Sequence, residues 1–193
     1  MLLAELIVRD STFCYAATLW LFAALLRQNI TIKTLSLVDV HSICVAGWKA
    51  LFQPLWDPTV VLETLYLDCS LLTNEVLFAL TSALTNNSRL KELTFRDNDD
   101  SIGEAPAELV LFSNVLQNPN SALEMLDLGM HPMDDQTIIS FADALSNNSR
   151  LKHLRMNLWR FNTSVTRYWI WCFSPTIMQQ IKHYGHVPLE SHT

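Results

Sequence analysis

"ALTNNSRLKEL" fills Ala83–Leu93, and "ALSNNSRLKHL" returns at Ala144–Leu154, 61 residues later with nine of its eleven letters unchanged. The phrase joins two patterns: its first half closes an apolar stripe at helical spacing, and its second half opens an alternating segment. The L-x-x-L-x-L pattern it introduces, "LKELTF" at Leu90–Phe95 and "LKHLRM" at Leu151–Met156, recurs as "LETLYL" at Leu62–Leu67 and "LEMLDL" at Leu123–Leu128. "IKTLSL" at Ile32–Leu37 is a relaxed form, and "LAELIV" at Leu3–Val8 a weaker one. The anchors Leu3, Ile32, Leu62, Leu90, Leu123 and Leu151 are spaced by 29, 30, 28, 33 and 28 residues. Repetition at such a period marks a stack of supersecondary units.

Each unit has two halves. Within "LETLYL", Leu65 and Leu67 point to one side and Thr64 and Tyr66 to the other, the period of a strand. Downstream, "NEVLFALTSALTNN" gathers Val76, Leu77, Leu80 and Leu84 on one helical face, and "DDQTIISFADALSNN" does so with Ile138, Phe141, Ala142 and Leu145. Asn74 and Asp134 or Asp135 stand at the expected helix starts, Asn86-Asn87 and Asn147-Asn148 at the expected ends. Strand and helix in strict alternation predict an α/β fold with a parallel sheet on one wall and helices on the other. A single unit cannot bury both its strand leucines and its helical stripe; its neighbours complete the burial.

These residues resemble the leucine-rich repeat family, in its ribonuclease-inhibitor-like class, whose pattern is L-x-x-L-x-L-x-x-N/C-x-L. "LKELTFRDN" matches through Asn98, while "LETLYLDCSLL" and "LEMLDLGMHPM" end with Leu72 and Met133 at the final apolar position. Val40, Ser70 and His131 occupy the Asn/Cys position, so those turns depart from the family pattern. The resemblance implies a leucine-rich-repeat solenoid (a horseshoe) with the parallel β-sheet on its concave face and α-helices on its convex face. It covers residues 1–157 as about six strand-helix units. Residues 158–193 hold three tryptophans and no seventh motif, and are expected to form an irregular C-terminal cap or a non-repeat tail. Two repeat flavours alternate: one helix ends in "NNSRLK", with "RQNITIK" a divergent copy, and the other in a proline turn at Pro58 or Pro119.

Few chemistries remain open. A net charge of −6 opposes general nucleic-acid binding. Cys14, Cys44, Cys69 and Cys172 form no C-x-x-C pair, and are expected as reduced thiols of a cytoplasmic protein. The uncharged run Phe13–Leu26 is 14 residues long, short of a bilayer span, and acidic residues with no cleavage site make a poor signal peptide, so no membrane association is expected. No Gly-rich phosphate loop, G-x-S-x-G elbow or H-E-x-x-H helix occurs, so no catalytic residue, cofactor or metal is assigned. "DNDD" at Asp97–Asp100 resembles a fragment of a calcium loop, but the glycine and closing glutamate are out of place for an EF-hand, and "HYGH" at His183–His186 lacks further ligands. N-x-S/T sequons stand at Asn29, Asn86, Asn147 and Asn162, and the first three are read as one repeat position, the helix-to-strand turn. Asparagine is expected there for the left-handed conformation that ends a helix.

What varies is one face of the sheet. The middle column reads Ile7, Ser36, Tyr66, Thr94, Asp127 and Arg155; the next Arg9, Val38, Asp68, Arg96, Gly129 and Asn157; the preceding one includes Glu63, Glu92, Glu124 and His153. A constant apolar scaffold under a variable face suits a recognition surface. A non-enzymatic protein–protein interaction module is therefore expected, with Ser36, Glu63, Tyr66, Asp68, Glu92, Thr94, Arg96, Asp127, His153 and Arg155 as contacts to a protein partner. A monomer or part of a longer repeat array is expected. One alternative is a leucine-rich-repeat GTPase-activating protein, with Arg96 or Arg9 as its functional arginine. The other is the substrate-recognition arm of a ubiquitin ligase whose adaptor segment is missing.

Overall fold

The computed structural model describes residues 4–9, 16–40, 43–68, 73–96, 107–129 and 133–156. Six strands fall on the six motifs: β1 Glu5–Arg9, β2 Thr34–Val38, β3 Thr64–Asp68, β4 Glu92–Arg96, β5 Met125–Asp127 and β6 His153–Arg155. They form one sheet in the order β1 to β6, every neighbouring pair parallel. Sequential parallel strands joined by right-handed crossovers place every helix on the same face. The register aligns Leu35, Leu65, Leu93, Leu126 and Leu154 across the sheet. These leucines are at most 3% exposed. A slip of one residue would turn them all to the open face, so their burial sets the pairing.

Among the described residues five helices pack against this leucine layer: α1 Ala16–Gln28, α2 Val45–Phe52, α3 Asn74–Thr85, α4 Phe112–Gln117 and α5 Asp135–Ser146. The expected stripes of α3 and α5 are buried throughout. In α1, Leu19, Ala23 and Leu26 enter the core, so the C-terminal part of the uncharged run serves an ordinary core-facing helix. Among the described residues no helix is long and apolar enough to cross a membrane.

The two repeat flavours differ in how the helix is built. α1, α3 and α5 run unbroken for 13, 12 and 12 residues. α2 and α4 have only 8 and 6, extended by 3-10 turns at Gln53–Trp56 and Ala107–Leu111. Pro54 lies in the first of these turns, where a missing N–H cannot continue the α-helical ladder.

The helix ends correct two expectations. Asn86 and Asn147 close α3 and α5 with φ of −108° and −111°, outside the left-handed region. The second asparagine of each pair makes the turn. Asn87 Oδ1 accepts from the N–H of Arg89 and Leu90 at 2.9 and 2.7 Å, and its Nδ2 donates to the Leu55 carbonyl at 2.7 Å. Asn148 repeats this with Arg150 and Leu151, both at 2.8 Å, and with the Leu116 carbonyl at 2.6 Å. Asn29, which accepts from Thr31 and Ile32, matches Asn87 and Asn148, not Asn86 and Asn147. The three sequons therefore do not share one repeat position. The proline flavour uses the same chemistry: Asp57 accepts from Thr59, and Asn118 accepts from Asn120 while donating to the Thr85 carbonyl.

At the helix starts, Asp134 caps α5 by accepting from Thr137 N–H at 2.7 Å. Asn74 is instead the first residue of α3, with Thr73 at the cap making no side-chain bond. Val40 and Met133 are buried, 1% and 5% exposed. Ser70, Leu72, Asn98, His131, Asn157, "DNDD", Cys14, Cys69, Cys172, Asn162, "HYGH" and the segment 158–193 lie outside the described residues.

Removing the Asn87 amide strands a buried carbonyl and two peptide N–H groups, so Asn87→Ala is expected to cost about 2 kcal/mol in urea unfolding. The exposed Asn86→Ala should stay within about 0.5 kcal/mol. Equal losses at the two positions would contradict this division of roles.

Candidate functional site

The open face of the sheet carries the side chains that differ between repeats. Cross-strand pairing aligns Ile7, Ser36, Tyr66, Thr94, Asp127 and Arg155 in one row, as their motif positions predict. Beside it, Arg9, Val38, Asp68 and Arg96 form a second row.

The column of acidic residues expected ahead of these divides in two. Glu92 and His153 align with Thr34, Thr64 and Met125. Glu63 and Glu124 stand one residue earlier, where Lys33, Glu63, Lys91, Glu124 and Lys152 follow one another along the edge, each N–H bonded to the carbonyl of its predecessor. The signs alternate strictly. Glu63 is gripped from both sides, by Lys33 at 2.8 Å and Lys91 at 2.6 Å, and Lys152 holds Glu124 at 2.6 Å. Hydrogen bonds from Lys33 and Lys91 lower the Glu63 carboxyl to about 2, and Lys152 lowers Glu124 as well. Glu63 thus belongs to a cross-repeat charge ladder. The K-E-K-E-K order at one motif position carried that signal in the sequence.

At the centre of the face five side chains converge from four repeats. Asp127 Oδ2 accepts from Arg96 Nη2 at 2.6 Å and from Arg155 Nη1 at 3.3 Å. Its Oδ1 accepts from Gly129 N–H at 2.8 Å. The Arg96 guanidinium lies 5.8 Å from the Tyr66 ring centroid, a cation–π contact. The Tyr66 hydroxyl donates to Asp68 Oδ2 at 3.1 Å. Burial and the Asp68 charge raise the tyrosine's proton affinity, so the phenol stays neutral. Burial opposes the Arg96 charge, but the Asp127 hydrogen bond and charge outweigh it and hold the guanidinium above its ordinary value. Two carboxylates and two guanidiniums make the cluster neutral.

Expected contacts therefore separate by role. Thr94 and Asp127 are each 5% exposed, and Asp127 holds Arg96 and Arg155 in place. Arg96 and Arg155 keep 30% of their side-chain surface in solvent, and Tyr66 and Asp68 are half-buried. Ser36 lies half-buried between Ile7 and Tyr66; Glu92 is exposed, 3.5 Å from the Thr64 hydroxyl, and His153 is exposed opposite Met125. Asp68 Oδ1 and Arg96 Nε are buried without a hydrogen-bond partner, polar capacity left over inside the cluster.

Gly129 has a specific part. Its φ of +54° ends β5 in the left-handed region, and a Cβ there would stand 2.6 Å from Arg96 Cγ. The absent side chain lets the Arg96 stem cross the turn and reach Asp127.

Elsewhere, two shallow grooves of about 220 and 130 Å³ flank exposed Phe78 on the helical side. Among the described residues no three His, Cys, Asp or Glu side chains come together to hold a metal, and Cys44 is an exposed free thiol. Comparison with protein-family models gives no match, and comparison with curated proteins gives none either.

Gly129→Ala combines a strained φ with a clash against Arg96 and should destabilise the protein by about 1–2 kcal/mol. Combining it with Arg96→Ala should cost less than the sum of the single changes in urea unfolding, because the two residues contact each other. The Glu63 carboxyl is depressed from 4.5 to about 2, so its contribution is complete above pH 4.5 and fades as pH falls through that interval. Glu63→Gln should flatten the acid limb of a stability–pH profile there, and an unaltered limb would refute the ladder's role.

Proposed function

We propose that this chain is a leucine-rich-repeat solenoid of the ribonuclease-inhibitor-like class that works as a non-enzymatic interaction module. The open sheet face is its concave surface, and a protein partner docks there. The observation that carries this is the cluster of Tyr66, Asp68, Arg96, Asp127 and Arg155, assembled from four consecutive repeats on the one face where repeat positions vary. Tyrosine and arginine are residue types that dominate binding energy at interfaces, and a prearranged cluster loses little freedom on docking. Asp127 holds both arginines in place, so their exposed edges present a fixed pattern of N–H donors beside the Tyr66 ring. Such a pattern suits carboxylates or peptide carbonyls on a folded partner.

Arg96 is engaged by Asp127 and stacked on Tyr66. That supports a recognition role over that of an extended arginine on a loop, as a GTPase-activating reading requires.

The test places a photo-crosslinking residue at Ser36 and, separately, at Phe78 on the helical side, and compares captured partners. Capture through Ser36 is expected, and Tyr66→Ala with Arg155→Ala should weaken it at least tenfold. Capture through Phe78 alone, or binding indifferent to the double substitution, would refute the concave-face assignment.

A further inference from the structure

The duplicated phrase contains letters that the scaffold does not use. Ala83, Leu84, Leu90 and Leu93 are core, Asn87 is the staple and Lys91 belongs to the charge ladder. Ala144, Leu145, Leu151, Leu154, Asn148 and Lys152 repeat these roles. Ser88 and Arg89, and their copies Ser149 and Arg150, are exposed in the turns that lead into β4 and β6. Among the described residues neither the Arg89 nor the Arg150 guanidinium makes a hydrogen bond or an ion pair. The Lys152 hydrogen bond lowers the Glu124 carboxyl, and the Arg150 charge adds to this from a distance.

The two turns lie on a strand-entry edge with surplus positive charge. From the fourth to the sixth repeat this edge carries Arg89, Lys91, Arg150 and Lys152. Glu63 pairs with Lys91 and Glu124 with Lys152, so the ladder occupies both lysines and leaves both arginines. Between them passes the turn into β5, Asn118–Ser121, which has no ionisable side chain. On a chain of net charge −6 this is a local reversal of sign. Its spacing is set by the sheet: β4 and β6 are two strands apart, so the turns that feed them repeat at about 10 Å.

We propose that Arg89 and Arg150, with the Ser88 and Ser149 hydroxyls beside them, bind an acidic segment of a protein partner that presents carboxylates about 10 Å apart. Charge complementarity selects this occupant. A guanidinium offers parallel N–H donors that match a carboxylate, and a neighbouring hydroxyl adds a further donor. Two carboxylates three residues apart on an extended segment span about 10 Å, enough to engage both turns together. A nucleic-acid backbone suits the edge less well. It would run past Glu124 and the exposed Glu92 between its contacts, against the repulsion of the whole chain. The inference stands apart from the open-face cluster, and neither arginine belongs to that cluster.

The test measures binding of the full chain to a fluorescein-labelled peptide with glutamate at every third position, by fluorescence anisotropy at low salt. The same peptide with glutamine in place of glutamate should bind about tenfold more weakly or less. Arg89→Glu and Arg150→Glu should each weaken binding of the glutamate peptide about fivefold or more, and together should abolish it. Both side chains are exposed, so circular dichroism should show the variants folded. Lys49→Glu, which reverses an exposed base on the helical side, should leave binding unchanged. A glutamate peptide that does not bind overturns the inference. So does an equal loss with Lys49→Glu, which would mean diffuse attraction to the whole chain. Tighter binding of a single-stranded oligonucleotide or of anionic phospholipid vesicles, lost with the same two arginines, overturns the choice of a protein partner.

Discussion

Everything else in the structure depends on register between consecutive repeats. Five parallel pairings bring the same motif position of each repeat side by side, and the layer of leucines makes any other pairing costly. Because every repeat obeys the same alignment, any property written at one motif position becomes a row across the sheet. Leucines become a core, alternating lysine and glutamate become a ladder, and second asparagines become staples from one repeat to the carbonyl of another.

The staples show how register is held on the helical side. Asn87, Asn118 and Asn148 each spend the carbonyl oxygen on their own turn and the amide N–H groups on a carbonyl 32, 33 and 32 residues back. Buried peptide groups need partners, and an irregular turn between a helix and a strand has few to offer. One side chain that is both donor and acceptor satisfies the turn and the neighbouring repeat together. Exposed ion pairs add less, yet the Lys33–Glu63–Lys91 series sits where strands begin and rewards the same alignment.

On the open face the same alignment produces coupling between repeats. Asp127 anchors two arginines from neighbouring strands, Gly129 clears the path of one of them, and Tyr66 stacks beneath its guanidinium. Most polar groups gathered on this partly buried face satisfy one another, with Asp68 Oδ1 and Arg96 Nε the exceptions, and equal numbers of carboxylates and guanidiniums leave the cluster neutral. The remaining exposure lies at its rim.

The strands, the helical stripes of α3 and α5 and the alternation of two repeat flavours were legible because each rests on local periodicity. So was the middle row of the open face, since a period of two and a constant motif fix which side chains share it. The roles of neighbouring residues were not legible. Glu63 and Glu92 read as one acidic column, but a one-residue offset sends the first to a lysine ladder and leaves the second exposed. Asn86 and Asn87 are indistinguishable as letters, while only the second reaches a carbonyl of the preceding repeat. Thr94 and Asp127 belong to a variable surface by pattern and are buried in space. By itself the sequence determined which residues repeat, and hence which form strand, helix and core, because those follow from spacing along one chain. Only the tertiary structure decided which side chains are partners and which remain open, because contacts between repeats depend on offsets of a single residue across about thirty positions and on the volume of what stands alongside.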